Sequence, residues 1–281
     1  MIGAQRNKEK EIMKSKKFLA LALAAVTVST MAAFASCGED ADITITGSSS
    51  VSPLMSALAE AYEEKNDVKI SVQTSDSSVG IQDTIDGKND FGMASRDLKD
   101  TEKGVVSKQI ATDGVALIVG KSCTVSNVTP EEVYALYAEG TAIQEVITGG
   151  YNREAGSGTR DAFTDLIKDA EGNKLKDLET FASVINNVNG TDAVKTSIAS
   201  SSNLIGYISL GSLDDTVKAL TFKGVEATVA NIKSGTYELK RPFNIVYQEG
   251  KLSEKAQAFI DFIMSDEGQA IVLEEGYIDM N

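Results

Sequence analysis

The sequence predicts an α/β fold with largely parallel sheets. Three observations carry this. Short runs of β-branched and apolar residues alternate with segments whose apolar residues recur at helical spacing. The run Val115 to Val119 is apolar throughout, as a strand buried on both faces requires. Strands are repeatedly followed by turns rich in Ser and Gly that open helices. At 281 residues, 42% of them hydrophobic, the chain is long enough for one or two domains with a buried core.

In chain order, Ile43 to Ile45 is a short strand and Gly47 to Ser50 a turn. Ser52-Pro53 opens a helix, with Ser as the expected cap and Pro in the first turn. Leu54, Leu58, Ala61 and Tyr62 give that helix an apolar face, and Val68, Ile70 and Val72 alternate as a strand. Ser77-Ser78 leads into a helix with Val79, Ile81 and Ile85 on its inner side, and Phe91 to Ala94 is a strand. After the apolar strand Val115 to Val119, Thr129-Pro130-Glu131-Glu132 reads as a capping box ahead of Val133, Leu136 and Tyr137. Gly156 to Thr159 opens a helix carrying Phe163, Leu166 and Ile167. Asn203 to Leu210 and Phe243 to Tyr247 are strands, and Ser253 starts a helix with Ala256, Phe259, Ile260 and Ile263 on one face. No internal repeat or low-complexity linker interrupts this order, so two domains would have to be joined by ordered strands.

The first 36 residues read as an address. Lys14, Lys16 and Lys17 precede an apolar run from Phe18 to Ala35, which ends in Phe34-Ala-Ser-Cys37. A basic start, a short apolar stretch and small residues at the end describe a secretory signal. The Cys after Ala-Ser resembles a bacterial lipobox, which makes Cys37 the expected lipidated first residue of the mature chain. An ordinary signal or a single membrane anchor is the alternative, although the run is at the short end for spanning. Met13 is the natural start. Residues 1–36 carry six basic and two acidic residues, so the rest of the chain stands at −18 where the whole stands at −14. Cys123 then has no intrachain partner and is expected to be a buried thiol.

Composition removes several functions. The chain has no His and two Cys, so it holds no Ser-His-Asp triad, no His-containing zinc site and no four-cysteine metal site. No metal or cofactor is implied. An acidic chain without a basic block is a poor nucleic-acid binder. Charge alone would suggest a cation ligand, but the turns argue otherwise. Gly47–Pro53, Ser75–Gly80 and Gly156–Thr159 each follow a strand and open a helix. Such turns gather at the carboxyl ends of the strands in an open α/β sheet. Each offers the free N–H groups of a helix start together with hydroxyls, which favours an anion. One Ser-Gly turn alone is an ordinary cap; three in one chain, one beside Arg153, point to an oxyanion site.

Two look-alikes fail. Gly120-Lys121-Ser122 resembles the end of a nucleotide-binding loop, but position 115, where that loop needs Gly, is Val. Gly156-Ser157-Gly158 lacks the G-x-S-x-G pattern of a nucleophile elbow, and no His exists to activate its Ser.

Taken together, Thr46-Gly-Ser-Ser-Ser-Val-Ser-Pro53, Ser77-Ser-Val-Gly-Ile81, Phe91-Gly-Met-Ala-Ser-Arg96, Asn152-Arg-Glu-Ala-Gly-Ser-Gly-Thr-Arg160, Ile205-Gly-Tyr-Ile-Ser209 and Phe262-Ile-Met-Ser-Asp-Glu-Gly268 resemble the substrate-binding proteins of phosphate-specific ABC importers. The resemblance runs across roughly residues 42–278. It implies the type II periplasmic-binding-protein fold: two lobes of mixed sheet flanked by helices, joined by two crossover hinge strands. The expected division is 42–116 plus 246–281 for lobe one and 117–245 for lobe two, with crossings near Val115–Lys121 and Pro242–Tyr247.

The family pattern assigns ligand groups to Ser50 and the backbone N–H of Val51 on the first turn, Ser77 on the second, and Arg153 with Ser157, Gly158 and Thr159 on the third. Arg supplies a two-pronged donor and the hydroxyls and amides fill the remaining lone pairs. Some relatives carry Asp where this chain has Arg96, and that Asp accepts the proton of hydrogen phosphate. Here Asp113 is the candidate acceptor and Asp97 the reserve; a turn residue is the alternative for Asp113, and a lobe-to-lobe ion pair for Arg96. The stretch from Glu139 to Tyr151 is shorter than in the family and lacks its Trp.

The implied function is capture of inorganic phosphate outside the cytoplasm by a lipid-anchored monomer that performs no covalent chemistry, followed by delivery to the permease subunits of an ABC importer. Another tetrahedral oxyanion such as sulfate or molybdate is the alternative within the class. A hydrolase on the same scaffold, or a sensor or adhesion protein with a retained cleft, are the alternatives outside it.

Overall fold

The computed structural model describes residues 41–281; Cys37 and the address segment lie outside the described residues. The first half of the fold opens with β1 (Ile43–Ser48), α1 (Ser52–Glu63), β2 (Ile70–Ser75), α2 (Ser77–Ile85) and β3 (Phe91–Ala94). β1 pairs in parallel with both β2 and β3, which brings the ends of all three strands to one edge. β4 (Val106–Gly120) then runs through both halves of the molecule. The second half contains β5 (Asn127–Val128), α3 (Pro130–Glu139), β6 (Gly149–Arg153), α4 (Gly158–Leu166), β7 (Ile185–Val188), α5 (Thr191–Ala199), β8 (Leu204–Ser209), β9 (Val217–Ala219), β10 (Thr221–Phe222) and α6 (Val229–Lys233). β11 (Lys240–Tyr247) returns to the first half, which α7 (Glu254–Ile263) and α8 (Asp266–Glu274) complete.

The main sheet has the order β2-β1-β3-β11-β4-β8-β6-β7, with β9 also on β4. It is mixed. β6 is parallel to both β7 and β8, whereas β4 is antiparallel to β11 along its first part and to β8 along its second.

Two large apolar cores sit along this sheet, as expected for a two-lobed α/β fold, beside a small cluster of Ile81, Ala94 and Val246. One gathers Ile43, Ile45, Leu54, Leu58, Phe91, Met93, Ile110, Phe243 and Phe259. The other gathers Val115 to Val119, Val133, Leu136, Tyr137, Phe163, Ile198 and Tyr207. Strand β4 gives Ile110 and Ala111 to the first and Val115 onward to the second; on the return, Leu239 belongs to the second and Phe243 to the first. The chain therefore passes between cores at Thr112–Gly114 and Lys240–Pro242.

Local chemistry explains most helix starts. Thr129 accepts from the Glu132 N–H while Glu132 accepts from the Thr129 N–H, completing the expected capping box. Ser253 and Ser157 cap α7 and α4 with the side chain alone, accepting from the Ala256 and Arg160 N–H groups. Two expectations are corrected. Ser52 is the first residue of α1 rather than its cap: Val51 holds that position without a side-chain bond, and the Ser52 hydroxyl is 2.6 Å from that of Thr74. Val79 is 43% exposed and faces solvent, because α2 packs through Gly80, Ile81 and Thr84. Cys123 is a buried free thiol, as its surroundings on the strand suggested. Among the described residues no helix is long and apolar enough to cross a membrane.

Candidate functional site

Four helix N-termini meet where the two halves face each other. They are the starts of α1 after Ser48-Ser49-Ser50, of α2 at Ser77, of α4 at Gly158 and of α5 at Thr191. Each leaves backbone donors unpaired within its own helix and places the positive end of its dipole at the meeting point.

Hydroxyls fill the space between them. On the first half, Ser48 Oγ donates to Ser95 Oγ at 3.0 Å, and Ser95 donates its N–H to Ser77 Oγ at 3.1 Å. On the second half, Thr159 and Thr191 both stand at Nη1 of Arg153. The halves touch directly: Ser50 Oγ lies 2.9 Å from Thr159 Oγ1 and 3.1 Å from Thr191 Oγ1. Gly158 lies hard against the first half. A Cβ there would come within 2.4 Å of Ser77 Oγ and 2.7 Å of Ser95 Oγ, so any larger residue would force these side chains aside.

Arg153 is the cationic centre, 1% exposed at the end of β6. Its Nη2 donates to Ser49 Oγ at 3.0 Å, and its Nη1 reaches Thr191 at 3.3 Å and Thr159 at 3.4 Å. Glu154 holds the other side, accepting from Nε at 2.8 Å and Nη2 at 2.7 Å. Glu154 also accepts the Gly190 N–H at 3.2 Å, which ties the start of α5 to the arginine. Burial opposes charge on Glu154, but its bonds and attraction to Arg153 outweigh that and hold the carboxyl below its ordinary value. Beneath, Tyr207 accepts the Arg153 N–H at 3.2 Å, donates to Asn152 and stacks on Phe163 with centroids 3.9 Å apart. The guanidinium thus sits on a packed floor.

The structure brings together Ser50, Ser77, Arg153, Gly158 and Thr159 of the expected set. Ser157 is buried beside them and spends its hydroxyl on capping α4 through the Arg160 N–H. Val51 is buried, and its N–H donates to the Ser48 carbonyl at 3.0 Å. Arg96 and Asp113 lie outside the cluster. Arg96 turns to Glu102 with bonds of 2.7 and 2.9 Å, to Ser78 at 3.0 Å and to the Asp97 carbonyl. Asp113 is fully buried and fully engaged: one oxygen takes Ser209 Oγ and the Leu210 N–H, the other takes Nε and Nη2 of Arg241. Asp97 lines a cavity of about 500 Å³ that also borders Arg96, Lys99, Asp161 and Arg241.

Sequence reasoning missed Ser48, Ser49, Ser95 and Thr191. The signal for Thr191 was a fourth strand-turn-helix unit, with Gly190 at φ +86° ahead of Val194 and Ile198 at helical spacing. The short polar strand Ile185–Val188 before it hides that unit. Chemically, the cluster offers one guanidinium, buried hydroxyls that can donate or accept, and helix-start amides. It lacks an activated nucleophile, since the serines bond to each other and to Arg153. Among the described residues no group of His, Cys, Asp or Glu could hold a metal ion.

The chain and its fold are similar to those of known proteins. A family model described as the PBP superfamily domain matches residues 32–267. The phosphate-binding protein PstS 2 of Streptococcus agalactiae is 45% identical over 134 residues, which is 46% of this chain and 45% of that protein, so the match spans about half of each. The phosphate-binding protein PstS of Bacillus subtilis is 27% identical over 95% of both chains. Among solved structures, a phosphate ABC transporter substrate-binding protein from Clostridium perfringens, with phosphate bound, aligns with TM-score 0.78 and 38% identity over 85% of this chain and 99% of that one. An ABC-type phosphate transport receptor from Vibrio cholerae aligns with TM-score 0.68 and 32% identity over 84% and 99%.

Proposed function

The chain belongs to the PBP superfamily, and from that membership we propose that it is an extracytoplasmic receptor that captures inorganic phosphate between its two halves and hands it to an ABC importer. The observation that carries this is Arg153: a guanidinium 1% exposed, ringed by hydroxyls from both halves at the meeting point of four helix starts. A tetrahedral oxyanion needs donors from several directions, and this site supplies them without high net charge.

The ligand shell we assign is Ser50, Ser77, Arg153, Gly158 and Thr159, joined by Ser95 and Thr191. Val51 and Ser157 shape the two turns. Arg96 and Asp113 are left out because their side chains bond to Glu102 and Ser78 and to Arg241 and Ser209, none of which belongs to the cluster. Each Ser and Thr hydroxyl both donates and accepts, so the shell can take the proton of hydrogen phosphate without a carboxylate. The lobes we assign divide near Asp113 and Arg241, a few residues before the expected 116/117 and 245/246, and the core membership of Ala111, Val115, Leu239 and Phe243 supports this.

Capture proceeds by hinge closure, which removes water from the anion and strengthens every bond to it. Docking to the permease favours the open form and releases the ligand unchanged. The chain acts as a monomer without covalent chemistry. The address segment and Cys37 make it a lipoprotein held at the outer face of the cell membrane, and mass spectrometry of the membrane fraction would show Cys37 lacking its lipid if that were wrong.

Isothermal titration against phosphate and sulfate from mildly acidic to mildly basic pH tests the ligand. Phosphate is expected to bind far more tightly at every pH; equal affinity for sulfate would overturn the choice.

A further inference from the structure

A second set of contacts crosses between the halves, and it is made of charge. Arg96 and Lys99 follow β3 on the first half, while Asp161 stands on α4 in the second, two residues after Thr159. Asp161 Oδ2 lies 3.0 Å from Arg96 Nε and 2.7 Å from Lys99 Nζ. Arg96 is 6% exposed and held rigidly, because Glu102 grips its other two nitrogens while Ser78 and the Asp97 carbonyl fix the fork. Asp161 is 31% exposed and is the only member of the pair set that belongs to the second half among the described residues.

We propose that Asp161 is an affinity-determining positioning residue: with Arg96 and Lys99 it forms an ion-pair clamp that holds the two halves together around the ligand without touching it. The inference rests on the receptor reading above. Its physical basis is that Arg96 arrives preordered, so closing the clamp costs the motion of few side chains. The partners separate when the halves part, so the clamp contributes to the closed form alone. Anything that favours the closed form lowers the apparent dissociation constant by the same factor and slows release. The clamp also gives Arg96 a role at a position where a ligand-contacting Asp stands in some proteins that this sequence resembles: charge that would face the ligand faces the opposite lobe instead.

The test uses the full chain with inorganic phosphate. Release is followed as labelled phosphate exchanging into an excess of unlabelled phosphate, and affinity by titration. Asp161→Asn keeps the shape of the side chain and should raise both the dissociation constant and the release rate about fivefold, with association within about twofold. Asp161→Glu should recover part of the loss. Asp165→Asn is the control, since Asp165 lies on the same helix but pairs with Lys174 and Lys176 of its own half; it should leave binding within about twofold. Release from Asp161→Asn within twofold of the parent, or an equal effect of Asp165→Asn, would overturn the clamp. If the parent itself takes no phosphate, the receptor reading fails. Distances between spin labels on the two halves then decide the clamp alone: Asp161→Asn should shift the population toward longer distances, and an unchanged distribution refutes it.

Discussion

Asp113 and Arg241 face each other across β4 and β11, with the carboxylate 3.0 Å from Nε and 2.8 Å from Nη2, at the step where both strands leave one apolar core for the other. Both side chains are buried. Burial raises the Asp113 carboxyl above its ordinary value, and Arg241 pulls it back. The pair stands where the strands cross between the cores, outside the hydroxyl cluster around Arg153.

Breaking that pair should destabilise the fold. Asp113→Asn leaves a buried guanidinium without its counter-charge, at a cost of about 3–5 kcal/mol. Urea denaturation of the variant against the parent checks this. The double change Asp113→Leu with Arg241→Met should recover much of the loss, because it removes both charges from the interior.

Arg153 should not tolerate replacement, even by lysine. Lysine lacks the planar fork that serves Glu154, Ser49, Thr159 and Thr191 together. Arg153→Lys is expected to weaken phosphate binding about a hundredfold, or about 2.7 kcal/mol, and Arg153→Ala to remove measurable binding by titration.

Thr191→Val keeps the volume and deletes the hydroxyl that meets Ser50, Ser49 and Arg153. Losing one buried partner should cost about 1–2 kcal/mol, read as a five- to thirtyfold rise in the phosphate dissociation constant.

Gly158→Ala inserts a methyl into the contact with Ser77 and Ser95. Overpacking of about 1–3 kcal/mol should appear as weaker phosphate binding. The melting temperature without ligand should move little, because alanine also favours α4. A large fall in melting temperature with unchanged affinity would contradict this placement.

Glu154 sets a pH dependence of stability. Its folded value lies below the ordinary 4.5, so the unfolded chain binds more protons in between. The contribution is present in full above the ordinary value and is lost as pH falls through the folded one. Melting curves of the parent and Glu154→Gln should therefore differ at neutral pH and converge in strong acid.

Much of the fold was legible because its signals are local. The capping box at Thr129 needs only four neighbouring residues, and the apolar run Val115–Val119 marks a strand wherever it is placed. The first part of β4, Val106–Gly114, was hidden because its polar residues are held as strand by pairing with β11, more than a hundred residues away. Val79 misled because a single apolar residue at helical spacing does not say which face will find a partner. In the site, Arg153 and the Gly156–Thr159 turn were visible as a motif. Thr191 was not, and Ser95, although inside the Phe91–Arg96 motif, was not singled out; each gains meaning from what stands opposite.

By itself, the sequence determined where five of the helices start, that several of those starts carry hydroxyls, and that one of them follows an arginine. Those facts depend on residues within a few positions of each other. Only the tertiary structure decided which turns meet. Ser50 and Thr159 are 109 positions apart, and their contact follows from parallel strands ending at common edges and from two strands passing between the cores. The same long-range geometry turned Arg96 toward Asp161 and closed Asp113 onto Arg241. A charge is drawn to whichever opposite charge the fold brings within a few ångströms, and that distance is set by the packing of elements remote in the chain.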